Sequence, residues 1–205
     1  MIKAFRALVA LAPALLMTAC MTVAPHTLSM DSIRGLKLVD VEIGGAEVIR
    51  SWPELEAAYA KSPNADPEIV QRLQLSAVGA LPPARDFAAA ELRAMIKSEF
   101  DTQFANVFVG SRPARAVVRL KTVDIPSSGR LLIGGQTAII DAEVTLVDAR
   151  TGAPIISYPG NPATRHIPGG VIGPLARVAL GDEGRRLLQR YMQQYHDWLL
   201  RESNA

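Results

Sequence analysis

The sequence predicts an α+β domain: an antiparallel sheet of three to four strands with helices packed mainly on one face. Two observations carry this. Residues 115–125 and 137–148 alternate apolar and polar side chains, whereas residues 85–105 and 182–202 repeat apolar side chains at intervals of three and four. These are the periods of half-buried strands and of amphipathic helices, and such elements bury their apolar sides against one another.

The chain opens on a leader. Lys3 and Arg6 form a positive region, and residues 7–17 are an apolar run too short to span a hydrocarbon core of about 30 Å as a helix. The run closes on Leu16-Met17-Thr18-Ala19-Cys20, which ends at the only cysteine of the chain. Small residues before that cysteine resemble the lipobox of bacterial lipoproteins, although Met17 stands where leucine is usual. The resemblance implies removal of residues 1–19 as a signal peptide and lipidation of Cys20. An ordinary secretory leader is the competing reading. Its cleavage wants small residues not followed by proline, and Val23-Ala24 is followed by Pro25.

With Cys20 used as an anchor, the mature chain has no thiol and no disulfide, so a packed core must supply its stability. About 185 residues suffice for one domain, placed at residues 36–205. Removing Lys3 and Arg6 from the 22 basic residues leaves 20 against 20 acidic ones. A neutral balance gives no footprint for nucleic acid and no general attraction to anionic lipid. The expected partners are the membrane, through acyl groups on Cys20, and an envelope protein or further copies of the chain. The expected location is the outer membrane, facing the periplasm.

Residues 20–35 are mixed and polar and read as a tether, with His26 in solvent. Residues 36–43 read as a strand with Val39, Val41 and Ile43 on one face and Asp40 and Glu42 on the other. Gly44-Gly45 closes it, and without a following Lys-Ser/Thr it is no phosphate loop. Ser51-Trp52-Pro53-Glu54 has the form of a capping box, opening a helix to Lys61. Asp66-Pro67-Glu68 starts another, carrying Ile69, Val70, Leu73 and Leu75. Trp52 and Tyr59 are expected as packing residues. Leu81-Pro82-Pro83 closes this part of the chain.

The helix at 85–105 sets Ala88, Leu92, Met95, Ile96, Phe100 and Phe104 on one stripe. Its polar face mixes both signs of charge, which suits packing on a sheet rather than lying on a membrane. The strands at 115–125 and 137–148 can be paired if their connection folds symmetrically about Leu131. Val118 then faces Val144, Leu120 faces Ala142, Arg119 faces Glu143 and Lys121 faces Asp141. Asp141 and Glu143 are thereby the one carboxylate pair that sequence alone sets on a common face. Cross-strand ion pairing accounts for both, whereas acid–base catalysis needs a pair whose proton affinities are pushed apart.

Asp148 to Gly152 forms a turn by composition, and residues 153–158 return as a strand. Gly134-Gly135, the alternating strand, Asp148 with Thr151-Gly152, and Pro154-Ile155-Ile156 together resemble a domain of unknown function found in small Gram-negative lipoproteins. The pattern is more distantly similar to curli-secretion and penicillin-binding-protein-activator lipoproteins. The resemblance implies an antiparallel sheet with helices on one side and an accessory role at the envelope, and it carries over no functional residue.

Residues 158–173, rich in proline and glycine, read as a long loop with Arg165 and His166 on the surface. Residues 174–180 read as a short helix. Asp182 caps the last helix, whose Leu187, Leu188, Tyr191, Tyr195, Trp198 and Leu199 are expected in the core and whose His196 is expected in solvent. No metal cluster, cofactor motif or nucleophile motif is recognised, so no catalytic, cofactor or metal residue is assigned. Two functions follow. The first is a non-enzymatic accessory or binding module of a cell-envelope complex. The alternative is a periplasmic hydrolase using Asp124, Asp141 or Glu143 in a cleft covered by the 158–173 loop.

Overall fold

The structure is a computed structural model and describes residues 23–73, 75–170 and 182–200. The leader, Cys20 and the helix expected at 174–180 lie outside the described residues. Among the described residues the elements are α1 (Met30–Arg34), β1 (Leu36–Gly44), β2 (Ile49–Ser51), α2 (Pro53–Lys61), α3 (Pro67–Arg72), α4 (Pro82–Gln103), β3 (Arg112–Asp124), α5 (Ser128–Ile133), β4 (Gln136–Asp148), β5 (Pro154–Tyr158), β6 (Ala163–Ile167) and α6 (Glu183–Leu200).

The sheet is mixed and six-stranded, where an antiparallel sheet of three to four strands is the sequence expectation. Its order is β1-β3-β4-β5, with β2 beside β3 and β6 beside β4. Strands β1 and β2 run parallel to β3, and β4 is antiparallel to β3, β5 and β6. The physical reason is the connection. Residues 45–111 hold α2, α3 and α4, and a crossover of this kind returns the chain parallel to the strand it left. Strand β6 replaces part of the expected 158–173 loop because Ala163–Ile167 pairs with Ile140–Gln136.

Helices α4 and α6 pack on each other, α4 against β1 and α6 against β4 and β6. Side chains of Ala88, Leu92, Ile96 and Phe100 are buried on α4 and that of Phe104 just past its end, as the spacing predicts, whereas Met95 of the same expected stripe is half-buried. The helix starts three residues earlier than expected, because Pro82 and Pro83 occupy its first turn, where a missing N–H costs nothing. Tyr191, Tyr195 and Trp198 are core, as expected. Ring centroids of Tyr195 lie 5.4 Å from both Phe104 and Tyr158, and Tyr158 lies 5.0 Å from Trp198. Burial pushes the Tyr191 and Tyr195 phenols well above their ordinary value. The Tyr191 hydroxyl donates to the Ala142 carbonyl at 2.7 Å, while the Tyr195 hydroxyl has no hydrogen-bond partner among the described residues.

Two β-bulges alter the expected faces. In β1 the register slips between Leu38 and Asp40, leaving Val39 as the extra residue. Leu36 and Leu38 thus face inward before the bulge and Val41 and Ile43 after it, and Val39 is turned out, 51% exposed. In β3 the slip falls at Lys121. Val118, Arg119 and Leu120 meet Val144, Glu143 and Ala142 as expected, but Asp141 faces Thr122 instead of Lys121. Beyond the bulge, Val123 and Ile125 continue the buried face.

Several local expectations change in the same way. At α2 it is Glu56, not Glu54, that reaches back, accepting from the Trp52 amide at 2.9 Å and from the Ser51 hydroxyl at 3.1 Å. At α3 Asp66 caps as expected, accepting from the Glu68 amide at 2.8 Å. His26 is buried rather than solvated. Its Nδ1 accepts from the Leu28 amide at 3.2 Å, so its Nε2 carries the proton and donates to the Leu199 carbonyl at 2.8 Å. The Trp198 indole donates to the Ala24 carbonyl at 2.8 Å. Residues 23–28 are thereby strapped across the C-terminal end of α6. His196 is half-buried, edge-on to Phe104 at 5.2 Å. No helix of the described residues is long and apolar enough to cross a membrane.

Candidate functional site: a polar cleft at the end of the sheet

The site begins with where β3 stops. Its last residue, Asp124, pairs with Ser51 of β2, and alternation about the buried Val123 turns it to the outer side of the sheet. Ser127 then caps α5, accepting from the Arg130 amide at 3.4 Å, and this short helix folds back over Asp124. Arg130 consequently meets Asp124 in a two-pronged pair, Nη1 to Oδ1 at 2.5 Å and Nη2 to Oδ2 at 3.1 Å. Nη2 also donates to Gln136 Oε1 at 3.2 Å. Asp124 is 7% exposed, so a planar guanidinium matched to both carboxylate oxygens is what makes its burial tolerable. The same hydrogen bonds hold the Arg130 guanidinium still more firmly protonated than usual.

Around this pair lies a cleft of about 580 Å³, with Arg50, Ser51, Glu56, Ser76 and Ser127 among its walls. A second cleft of about 570 Å³ shares Arg50, Ala77 and Asp124 with it and extends to Lys121 and Thr122. Glu56 is engaged in the α2 cap, whereas Arg50 is exposed. Leu75, expected on the apolar side of the helix that Asp66 starts, lies beyond the end of α3 and stands 93% exposed on the lip. The arrangement offers cationic and hydroxyl groups to a polar ligand.

Besides Asp124, Glu56 lines the first cleft and Glu47 the second. Both Asp124 oxygens are occupied, and none of the three histidines lines either cleft. Asp141 and Glu143 line neither one and lie on the outer face of β4. Burial pushes the Asp141 carboxyl above its ordinary value, with the Lys121 charge and the Ala142 amide acting against the shift. Lys121 itself donates to the Pro159 carbonyl. Of the three carboxylates weighed from sequence, Asp124 thus sits in a cleft while Asp141 and Glu143 stand outside it.

Sequence reasoning missed Arg130, because residues 126–136 read as a plain connection, and Arg50, because the short strand β2 that carries it has no periodicity to mark it. The available signal was Ser127 as a cap before Leu131, whose side chain is fully buried. A second basic depression, of about 420 Å³, surrounds Arg165, Arg186 and Arg190. There Arg165 pairs with the buried Glu183 at 3.2 Å and Arg190 donates to the Thr164 carbonyl at 3.3 Å, contacts that fasten β6 to α6. His166 is exposed, as expected. Among the described residues no group of three or more His, Cys, Asp or Glu side chains is placed to hold a metal ion.

No family model matches the chain, so the similarity to curli-secretion and penicillin-binding-protein-activator lipoproteins has no family behind it, and no curated protein matches either. Among solved structures, a candidate lipoprotein from Caulobacter crescentus CB15 aligns with a TM-score of 0.35 and 12% identity, over 51% of this chain and 78% of that one. Likeness at that level carries no argument about fold or function.

Proposed function

We propose that this chain is a periplasm-facing lipoprotein, acylated on Cys20 and held at the outer membrane, that serves as a non-enzymatic accessory or binding module of a cell-envelope complex. The observation that carries the reading is the apolar run that ends, after small residues, on the only cysteine of the chain. Binding is favoured over hydrolysis because the two carboxylates of the first cleft are engaged, Asp124 by Arg130 and Glu56 by the α2 cap, while Arg50 and Ser76 line it.

Metabolic labelling with a fatty acid tests the anchor: wild type takes up label and Cys20→Ala does not, and equal labelling refutes it. A photo-crosslinking residue at Ser76 tests the binding role in intact cells. A discrete adduct that weakens in the Arg50→Glu variant is expected. An adduct indifferent to Arg50, or none from Ser76 and Leu75 alike, refutes the cleft as the contact.

A further inference from the structure

We infer that the residues after Cys20 act as a short leash, which stands the domain end-on against the bilayer with the Asp124–Arg130 cleft at the far end. The inference rests on the acylation of Cys20 proposed above and adds to it an orientation and a contact surface for lipid.

The argument starts from what the strap leaves free. Val23 packs on the core, and Ala24 and His26 are hydrogen-bonded to the end of α6. Val23 is three residues on from Cys20, a span of at most about 11 Å. Were the strap loose, the first fixed point would be Ser29, the α1 cap, nine residues on and up to about 32 Å away. Two side-chain-to-backbone bonds and an edge-on contact of His26 with Trp198 at 4.9 Å therefore shorten the leash about threefold.

The end so held down can be named. Met30, Arg34, Asn106, Val107, His196 and Leu200 line one shallow depression, which places α1, the end of α4 and the end of α6 together beside the strap. Arg34 and Lys37 are exposed there, and so is Val109, one residue before the Gly110 amide that donates to the Leu36 carbonyl at 2.9 Å. The surface suits a layer of lipid headgroups. Strand β3 measures the distance to the other end. It begins at Arg112, whose amide donates to the Gly35 carbonyl at 3.0 Å, and finishes at Asp124. Twelve strand steps at about 3.3 Å put the cleft about 40 Å from the leashed end. The cleft thus faces a soluble or projecting partner, and lipid headgroups are out of its reach.

The test uses the full acylated protein in vesicles of phosphatidylethanolamine and phosphatidylglycerol that carry a fluorescent acceptor lipid. Acylation occupies the Cys20 sulfur, so a dye attaches only at an introduced thiol, Asn106→Cys at the leashed end or Leu75→Cys at the cleft. Energy transfer to the bilayer is expected to be severalfold stronger from position 106 than from 75. Inserting about ten Gly/Ser residues after Met21 lengthens the leash without touching the fold and should bring the two signals close together. His26→Ala combined with Trp198→Phe should do the same. Equal transfer from both positions in the unmodified leash, or no response to the insertion, overturns the orientation. Failure to float with the vesicles overturns acylation itself, and flotation with equal transfer overturns the leash alone.

Discussion

Replacing Arg130 by methionine removes the cation from a carboxylate that is almost wholly buried. Three hydrogen bonds that Arg130 donates go with it, two to Asp124 and one to Gln136. Breaking a fully buried pair costs about 3–5 kcal/mol, because an unmatched charge remains. Here the Arg130 side chain is 39% exposed and the cleft admits water, so about half that figure, about 2 kcal/mol, is expected. Asp124→Asn leaves a neutral amide against the guanidinium and should cost about 1.5 kcal/mol. The double variant should cost about 2 kcal/mol rather than the sum, since the second change removes the charge stranded by the first, giving a coupling of about 1.5 kcal/mol. Urea denaturation of residues 23–205, followed by circular dichroism, measures all four corners of the cycle. In thermal melts the Arg130→Met loss corresponds to a fall of about 4–8 °C for a domain of this size. Additive losses, or an Arg130→Met variant as stable as wild type, would refute the claim that the pair holds the cleft together.

Three other outcomes follow from the packing and the charges. Tyr195→Phe should raise stability by about 1 kcal/mol, because the hydroxyl is fully buried and has no hydrogen-bond partner among the described residues; a loss in urea denaturation would mean that the hydroxyl is satisfied. Gly184→Ala should cost about 1–3 kcal/mol by overpacking, since a methyl there would lie 2.1 Å from the Trp52 ring; unchanged stability together with unchanged Trp52 fluorescence would sink this. Asp141→Asn should stabilise at pH 7. A carboxyl raised by burial binds its proton more tightly folded than unfolded, so its ionised form opposes folding above the folded value and the penalty fades as pH falls toward the ordinary aspartate range. The advantage of the variant over wild type should therefore shrink on acidification, and a gap that widened would reverse the sign.

Short-range information carried much of this architecture. Alternation in β4 and the four-residue spacing of α4 and α6 survive because burial on one face is decided by side chains within the same element. Pairing of Val118, Arg119 and Leu120 with their β4 partners was legible too, since β3 and β4 are neighbours in sequence and must match apolar to apolar. Parallel pairing of β1 with β3 was not, because 67 residues separate the two strands (45–111) and no local pattern records which way a long crossover returns. The bulges at Val39 and Lys121 were also hidden. One extra residue leaves composition unchanged while reversing every face beyond it.

The same division holds for the site and the anchor. By itself the sequence determined the leader pattern ending at Cys20, the absence of any other cysteine, the neutral charge of the remaining chain and the apolar stripes of its long helices, because each is a property of composition or of spacing within a few residues. Only the tertiary structure decided that Arg130 closes over Asp124, that Asp141 lies away from the cleft and that His26 and Ala24 are fastened to the end of α6. Those contacts join residues as far apart as 174 positions, and their partners are selected by the packing of the whole sheet and its helices rather than by anything near them in the chain.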